Sequence, residues 1–161
     1  MPVTEAKKPP AYLREARSRA GYANRVAASM AVPFSPETIG RHERGDVDME
    51  PEDAILYSEK YRDPSILVHY CADCPIGKRT GKAVTDRPLP FATLRVSRML
   101  DEAQQIADRL EDIAFDGQID AGEKADFENA LAFLRELDQT INDMLLLGMR
   151  AGMAEAATPA G

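Results

Sequence analysis

Apolar residues recur at spacings of three and four along most of the chain, which is typical of amphipathic helices. The first such stretch predicts a helix over about residues 11–20, ended by Gly21. Its inner positions are Tyr12, Leu13, Ala16 and Ala20, and its mostly outward positions are Arg14, Arg17 and Arg19. Because no strand pattern interrupts this periodicity, the chain is predicted to be all-α.

A second, Ala-rich stretch predicts a helix over about 23–31, with Asn24 able to cap it. Its expected buried stripe is Val26, Ala27 and Met30. The segment Val32-Pro33-Phe34 follows as a turn, with Val32 and Phe34 expected to be buried.

The third helix, predicted over 36–44, carries clear signals at both ends. Ser35 is a good N-cap and Pro36 suits the first helical position, where its missing N–H costs nothing. Gly45 can take the left-handed conformation that ends a helix. A small-residue helix, a turn and a capped, Arg-bearing helix are the parts of a helix-turn-helix.

Two further short helices complete a predicted domain over 11–74, with four to five helices in all. Pro51-Glu52-Asp53 opens one over 52–61, and Asp63-Pro64 opens another over 64–71. The expected inner positions are Ala54, Ile55, Tyr57, Ser58, Tyr61, Ile66, Leu67 and Tyr70. Helices this short are marginal alone, so they are expected to pack together.

The second half of the chain predicts a long antiparallel helical hairpin, over 91–148. Apolar positions at helical spacing run through 91–114 and again through 121–147. The Pro-, Gly- and basic-rich segment 75–90 is interpreted as a linker, and residues 1–10 and 149–161 as flexible tails. A lone hairpin leaves one apolar face uncovered, so this face is expected to pack on the first domain or on a second copy.

Charge is distributed unevenly along the chain. The net charge is −7, yet residues 1–45 carry +4, residues 46–82 carry −3 and residues 83–161 carry −8. A basic N-terminal part joined to an acidic C-terminal part is the asymmetry expected of a small regulator with one DNA face. Solvated acidic helices alone would also produce the acidic half.

Several classes of function are disfavoured by composition. No apolar run approaches the length of a membrane span, and the N-terminus has no apolar core like that of a signal peptide, so a cytoplasmic protein is expected. No Gly-rich phosphate loop and no Ser/His/Asp set with supporting context appears. We therefore expect neither an enzyme nor a cofactor.

The run His69-x-Cys71-x-x-Cys74 places three possible zinc ligands close together. Structural zinc usually takes four ligands from two separated pairs, and no second pair exists. Three interpretations stay open: two free thiols at a helix C-terminus, a metal site completed by Asp73 or a second copy, and a redox pair. The first interpretation is favoured, and no metal ligand is predicted among these residues.

The segment Asp112–Glu123 resembles a calcium-binding loop in its acidic positions and its Gly117. Ala114, however, stands where a ligand oxygen is needed. The simpler interpretation is a hairpin turn in which Gly117 ends one helix and Asp120 caps the next, with Glu123 completing a capping box.

Residues 12–45 resemble the DNA-binding region of the Cro/CI-type repressors, also called the xenobiotic-response-element family. The resemblance depends on Leu13-Arg14-Glu15-Ala16-Arg17, on Ala28 and on the run from Ser35 to Gly45. The run from Tyr70 to Gly77 is similar to small bacterial and phage-encoded members with a helical C-terminal extension. Helix two begins with Asn24-Arg25 where the family usually has Gln.

The resemblance implies a recognition helix in the DNA major groove, with Ile39 and His42 in the core. The implied base-contacting residues are Pro36, Glu37, Thr38 and Arg41. The chemistry agrees, since Arg41 can pair bidentately with guanine and Glu37 can accept from cytosine N4. The candidates for phosphate contacts are Asn24, Arg25 and Arg44.

The function expected from these observations is a sequence-specific regulator that binds double-stranded DNA, as a homodimer on a near-palindromic site. The hairpin would supply dimerisation or contact a protein partner. The alternative is a helical protein-interaction module, adaptor-like or antitoxin-like, without DNA binding. Overall acidity and the apolar stripe of the hairpin favour that alternative.

Overall fold

The computed structural model describes residues 11–85, 87–115 and 117–155, with the backbone alone at residues 114 and 153–155. These residues contain no strand, which confirms the all-α prediction. They form eight helices: α1 Ala11–Arg19, α2 Arg25–Ser29, α3 Pro36–Arg44, α4 Pro51–Tyr61, α5 Ser65–Asp73, α6 Pro75–Thr80, α7 Leu89–Ala114 and α8 Lys124–Glu155.

Helices α1 to α6 form the bundle, which is organised around α1. Helix α1 packs against α3, α4 and α5, while α2 packs against α3 and α6 against α5. The bundle buries one continuous apolar core, made of Tyr12, Leu13, Ala16, Ala28, Val32, Ile39, Met49, Ala54, Tyr57, Tyr61 and Ile66. The predicted pattern of inner positions is largely confirmed, although Ile55 is 48% exposed.

Helix α2 differs most from its prediction. It spans five residues, and the interpretation of Val26 and Met30 as buried was wrong, since they are 63% and 88% exposed. Ala28 is the fully buried residue instead. Because α2 makes barely more than one turn and packs mainly on α3, one small side chain fills the contact. The predicted cap is confirmed, as Asn24 Oδ1 accepts from the backbone N–H of Ala27 at 2.8 Å.

The segment predicted as a linker begins with a helix. Helix α6 starts at Pro75, ends at Gly81 (φ 74°) and packs on α5. Gly77 is essential to this contact, because a Cβ there would lie 1.8 Å from the carbonyl oxygen of Cys71. Residues 81–88, apart from residue 86, form the non-helical part of the predicted linker.

The predicted C-terminal hairpin is confirmed, with α7 and α8 packed against each other. Helix α8 is longer than expected and continues to Glu155, so the prediction of a tail from residue 149 was wrong for 149–155. The predicted tail at 1–10 and the end of the second tail, 156–161, lie outside the described residues. No helix in the described part of the chain is long and apolar enough to cross a membrane.

The hairpin leaves large apolar side chains in solvent, as its sequence pattern indicates. On α8 they form an open stripe, defined here as Leu134, Ile141 and Leu145, which are 41%, 44% and 60% exposed. On α7, Leu94 and Leu100 are also more than half exposed. Within the described residues, no helix of the bundle packs extensively against α7 or α8. The bundle therefore does not cover the open stripe.

Candidate nucleic-acid interface

Helix α3 is held at both ends by local hydrogen bonds. Ser35 Oγ accepts from the backbone N–H of Thr38 at 3.1 Å, and Pro36 occupies the first turn. At the other end Gly45 is left-handed (φ 70°), and the N–H of Asp46 donates to the carbonyl of Arg41 at 2.9 Å. The bounds predicted from the cap signals, 36–44, are confirmed.

The two faces of α3 are sharply different. Ile39 and His42 are 0% and 5% exposed, as expected. His42 Nδ1 lies 3.1 Å from Tyr57 Oη, and Phe34 packs edge-on against the imidazole ring. Burial lowers the pKa of His42, with Asp53 opposing this effect and Arg41 adding to it. His42 therefore anchors α3 to α4 as a neutral side chain.

None of the four residues predicted to contact bases lies on the buried side of α3. Glu37 and Arg41 are exposed one turn apart, while Pro36 and Thr38 are half-buried in the first turn. The Thr38 hydroxyl lies 2.9 Å from Ser35 Oγ, so its orientation is set by the cap. Glu37 and Arg41 thus share the exposed face of α3, while Pro36 and Thr38 lie at its two sides in the first turn.

The three residues predicted to contact phosphates all have local partners. Asn24 caps α2 through its side-chain oxygen. Arg25 Nε donates to Glu43 Oε2 at 2.8 Å, and Arg44 Nε donates to Asp46 Oδ2 at 2.7 Å. The exposed fractions of the Arg25 and Arg44 side chains are 38% and 50%, so part of each guanidinium still meets solvent.

Arg25 and Arg44 come together over α3 at Gly40. A Cβ built on Gly40 would lie 3.1 Å from an Nη of Arg25 and 3.0 Å from an Nη of Arg44. The absence of a side chain at residue 40 lets both guanidinium groups approach the helix backbone. Two cations from different helices are therefore neighbours at the edge of the α3 face.

Sequence reasoning missed a buried ionic cluster of Arg17, Arg25 and Glu43 beneath this face. The Glu43 side chain is fully buried, and it accepts from Arg17 Nε at 2.6 Å as well as from Arg25. Arg17 also donates to the carbonyl of Tyr22 at 2.8 Å. The cluster joins α1, α2 and α3, and it satisfies both oxygens of a carboxylate removed from water.

The outward placement predicted for Arg17 was therefore wrong, as it is 7% exposed. A signal for it existed, because Arg17 lies four residues after Leu13, and Glu43 lies four residues after Ile39. Each charged residue thus falls on the apolar stripe of its own helix.

The Cys-x-x-Cys segment forms a corner between α5 and α6. Cys74 follows α5 and caps α6, accepting from the N–H of Gly77 at 3.2 Å. His69 instead stacks on the Tyr12 ring, with centroids 4.9 Å apart. Both cysteines are free, and in the described part of the chain no three His, Cys, Asp or Glu side chains gather as a metal site.

The acidic turn between α7 and α8 has the geometry of a capping box. Asp120 Oδ1 accepts from the N–H of Glu123 at 2.9 Å, and Glu123 Oε2 accepts from the N–H of Asp120 at 3.1 Å. Gly117 is left-handed (φ 74°). These contacts confirm the predicted capping box, whereas the prediction that Gly117 ends the first helix was wrong, since α7 ends at Ala114 with Phe115 as its C-cap.

Comparisons of this chain with protein-family models, with curated proteins and with solved structures found no match.

Proposed function

We propose that this protein is a transcriptional regulator that binds double-stranded DNA sequence-selectively through α3. The observation that carries the proposal is the outward face of α3. Glu37 and Arg41 stand exposed one turn apart on a helix whose ends are capped and whose inner face is buried. An α-helix fits into the major groove, and polar side chains on its outward face can contact the base edges there.

Each residue of the face has a distinct chemical role in this proposal. The Arg41 guanidinium pairs with O6 and N7 of a guanine, and Glu37 accepts from the N4 amino group of a cytosine. Pro36 and the Thr38 methyl group contact a thymine methyl. Arg25 and Arg44, side by side at Gly40, contact phosphates and set the register without specifying sequence.

The buried cluster supports this proposal by holding three helices in one arrangement. Glu43 is on α3, while its partners Arg17 and Arg25 are on α1 and α2. Because the same carboxylate orients Arg25, the cluster links the fixed core to the phosphate-contacting edge. The charges of Arg25 and Arg44 lie within a basic segment of an acidic chain, which favours a polyanionic partner at this face.

In this proposal the chain acts as a homodimer formed through the hairpin. The open stripe belongs to a heptad-like series on α8, with residues 127, 131, 134, 138, 141 and 145 spaced alternately by four and three. Only Asp138 interrupts its apolar character. Two copies joined along this series would present two α3 helices, as a near-palindromic site with half-sites about 34 Å apart requires.

The decisive experiment is selection of duplexes from a randomised library, followed by affinity measurements with matched arginine variants. Arg41→Ala should weaken binding to the selected site by about 1–3 kcal/mol, roughly five- to 150-fold, and relax one base position. Arg44→Ala should weaken binding to all sequences alike and reduce the salt dependence by about one charge per protomer. Arg79→Ala, an exposed arginine on α6, is the control.

Failure to enrich any sequence would contradict the proposal, as would equal losses in Arg41→Ala and Arg79→Ala. A second function would then be favoured, an adaptor-like or antitoxin-like protein-interaction module. Its specific support is the exposed apolar surface, namely the open stripe together with Val26 and Met30. An adaptor should keep its partner when Arg41 is replaced and lose it when Ile141 is replaced by Lys.

A further inference from the structure

A cleft lined by four arginines lies where the bundle meets the hairpin. Arg19, Arg62, Arg87 and Arg150 line it together with Asp63 and Leu147, around a volume of about 430 Å³. This size is within the range of small-molecule sites. The face of α3 described above contributes none of its lining residues.

The arginines reach the cleft from four distant places in the chain. Arg19 ends α1, Arg62 follows α4, Arg87 precedes α7, and Arg150 is in the last part of α8. Among the described residues that line the cleft, the one carboxylate is Asp63. Arg19 is paired with Asp63, and Arg150 also makes an interaction within the protein, so the positive charge that favours a counter-anion comes from Arg62 and Arg87.

Asp63 positions one side of the cleft. Its Oδ2 accepts from Nε and Nη2 of Arg19 at 3.0 and 2.6 Å. Burial alone would raise the pKa of Asp63, but hydrogen bonds from Ser65 and Arg19 outweigh it and hold this pKa below its usual value. Asp63 therefore stays ionised and fixes the Arg19 guanidinium in place.

Arg62 and Arg87 supply charge that Asp63 does not neutralise. Neither has an ion pair within the described residues. Arg62 is also the one described non-glycine residue with a positive φ (54°), at the left-handed end of α4. This conformation ends α4, because the N–H of Arg62 donates to the carbonyls of Ser58 and Glu59.

We propose that this cleft binds a small ligand carrying a phosphate or diphosphate group. Guanidinium groups recognise phosphate oxygens through paired, charge-assisted hydrogen bonds, and several from different directions suit a dianion. Leu147 and Pro88 add an apolar wall for the rest of the ligand. The concave shape and small volume favour a small molecule over the convex backbone of a duplex.

The cleft joins the two halves of the molecule, so its ligand would hold the bundle against the hairpin. Arg19 and Arg62 belong to the bundle, while Arg150 belongs to α8. This consequence rests on the proposed function: in a dimer, ligand binding would change the spacing of the two α3 helices and therefore the affinity for DNA.

The test is calorimetric titration of the full chain with pyrophosphate and with inorganic phosphate, in the absence of DNA. Arg62→Gln/Arg87→Gln should weaken pyrophosphate binding at least roughly tenfold. The matched control, Arg79→Gln/Arg109→Gln, removes two exposed arginines outside the cleft and should bind like the unmodified chain. Circular dichroism establishes that both double variants are folded.

Equal affinity of the two double variants, or no binding of pyrophosphate by the unmodified chain, would overturn this proposal. Competition between pyrophosphate and a short duplex of arbitrary sequence would also overturn it, because the cleft would then be part of the DNA surface. The titration contains no DNA, so a negative result would contradict the ligand proposal and leave the proposed DNA binding through α3 untouched. Equally, a failure to bind DNA would leave the ligand proposal untouched.

Discussion

The bundle and the hairpin are both helical, but they bury their residues differently. In the bundle, short helices enclose one apolar core, and the buried charges of Arg17, Glu43 and Asp63 all have partners. In the hairpin, two long helices bury residues along their shared face, such as Ala92, Thr140 and Leu146, while Leu100 and Leu145 stay about 60% exposed.

The bundle therefore has a complete apolar core of its own, whereas the hairpin needs a partner to cover its apolar face. The bundle encloses its own apolar core and pairs its buried charges, so it can present α3 in a fixed orientation. The hairpin has helices long enough to form by themselves, but two helices cannot enclose a core. Its exposed leucines are those that a partner would cover.

The chain allows the two regions to be observed separately. All five tyrosines (Tyr12, Tyr22, Tyr57, Tyr61 and Tyr70) lie in the bundle, and the chain has no Trp. Tyrosine fluorescence therefore reports on the bundle alone. Far-UV circular dichroism includes the large helical contribution of α7 and α8.

The largest effect is expected from Glu43→Ala in the bundle. It would leave Arg17 buried without a counter-charge, which typically costs about 3–5 kcal/mol. Urea unfolding followed by tyrosine fluorescence should show this loss. Glu37→Ala, an exposed change on the same helix, should stay within about 0.5 kcal/mol. A loss of similar size in both variants would contradict a stabilising role for the cluster.

A smaller effect is expected from a neighbouring pair of leucines in α8. Leu146 is 1% exposed and Leu145 is 60% exposed. Leu146→Ala should destabilise the hairpin by roughly 2–5 kcal/mol, measured by far-UV circular dichroism. Leu145→Ala should change the unfolding of the isolated chain little but weaken self-association, measured by sedimentation at several concentrations.

If sedimentation finds the unmodified chain monomeric at all concentrations, the open stripe does not join two copies. Equal destabilisation by the two leucine variants would instead mean that the hairpin core is organised differently from the arrangement described above.

The smallest effect is expected from pH, through His42. Its pKa is lowered in the folded state by burial, so the unfolded chain takes up the proton first as the pH falls. Stability contributed by neutral His42 is therefore present above the unfolded pKa of about 6.5 and lost as the pH falls through the folded value. Tyrosine-detected urea unfolding between about pH 7 and 5 should show this slope.

His42→Gln should reduce that slope, whereas His69→Gln, which removes the other histidine, should retain it. If His69→Gln lost the slope and His42→Gln kept it, the pH dependence would belong to His69, and the prediction for His42 would be wrong.

Local signals in the sequence were sufficient for the ends of α3 and for the hairpin turn. Ser35, Gly45 and Asp120 act through hydrogen bonds to residues within a few positions, so their roles can be predicted without knowing the fold. The signals for α6, Pro75 and Gly81, were also present. A six-residue helix is too short for periodicity to reveal, however, and its contact with α5 stabilises it.

The burial of charged residues was harder to predict from the sequence than the ends of the helices. Arg17 and Glu43 have the spacing of core residues, yet their charge argued for solvent, and only their mutual contact makes burial favourable. Val26 and Met30 show the reverse case. Their apolar character argued for the core, but α2 has contact area for only one small residue, Ala28.

The sequence by itself determined the helices, most of their ends and the uncovered face of the hairpin, because these depend on the 3.6-residue period and on neighbouring residues. The tertiary structure alone decided that Arg17 and Arg25 share Glu43, and that four arginines from distant segments meet in one cleft. Both outcomes depend on the path of the chain between helices, which no local pattern encodes.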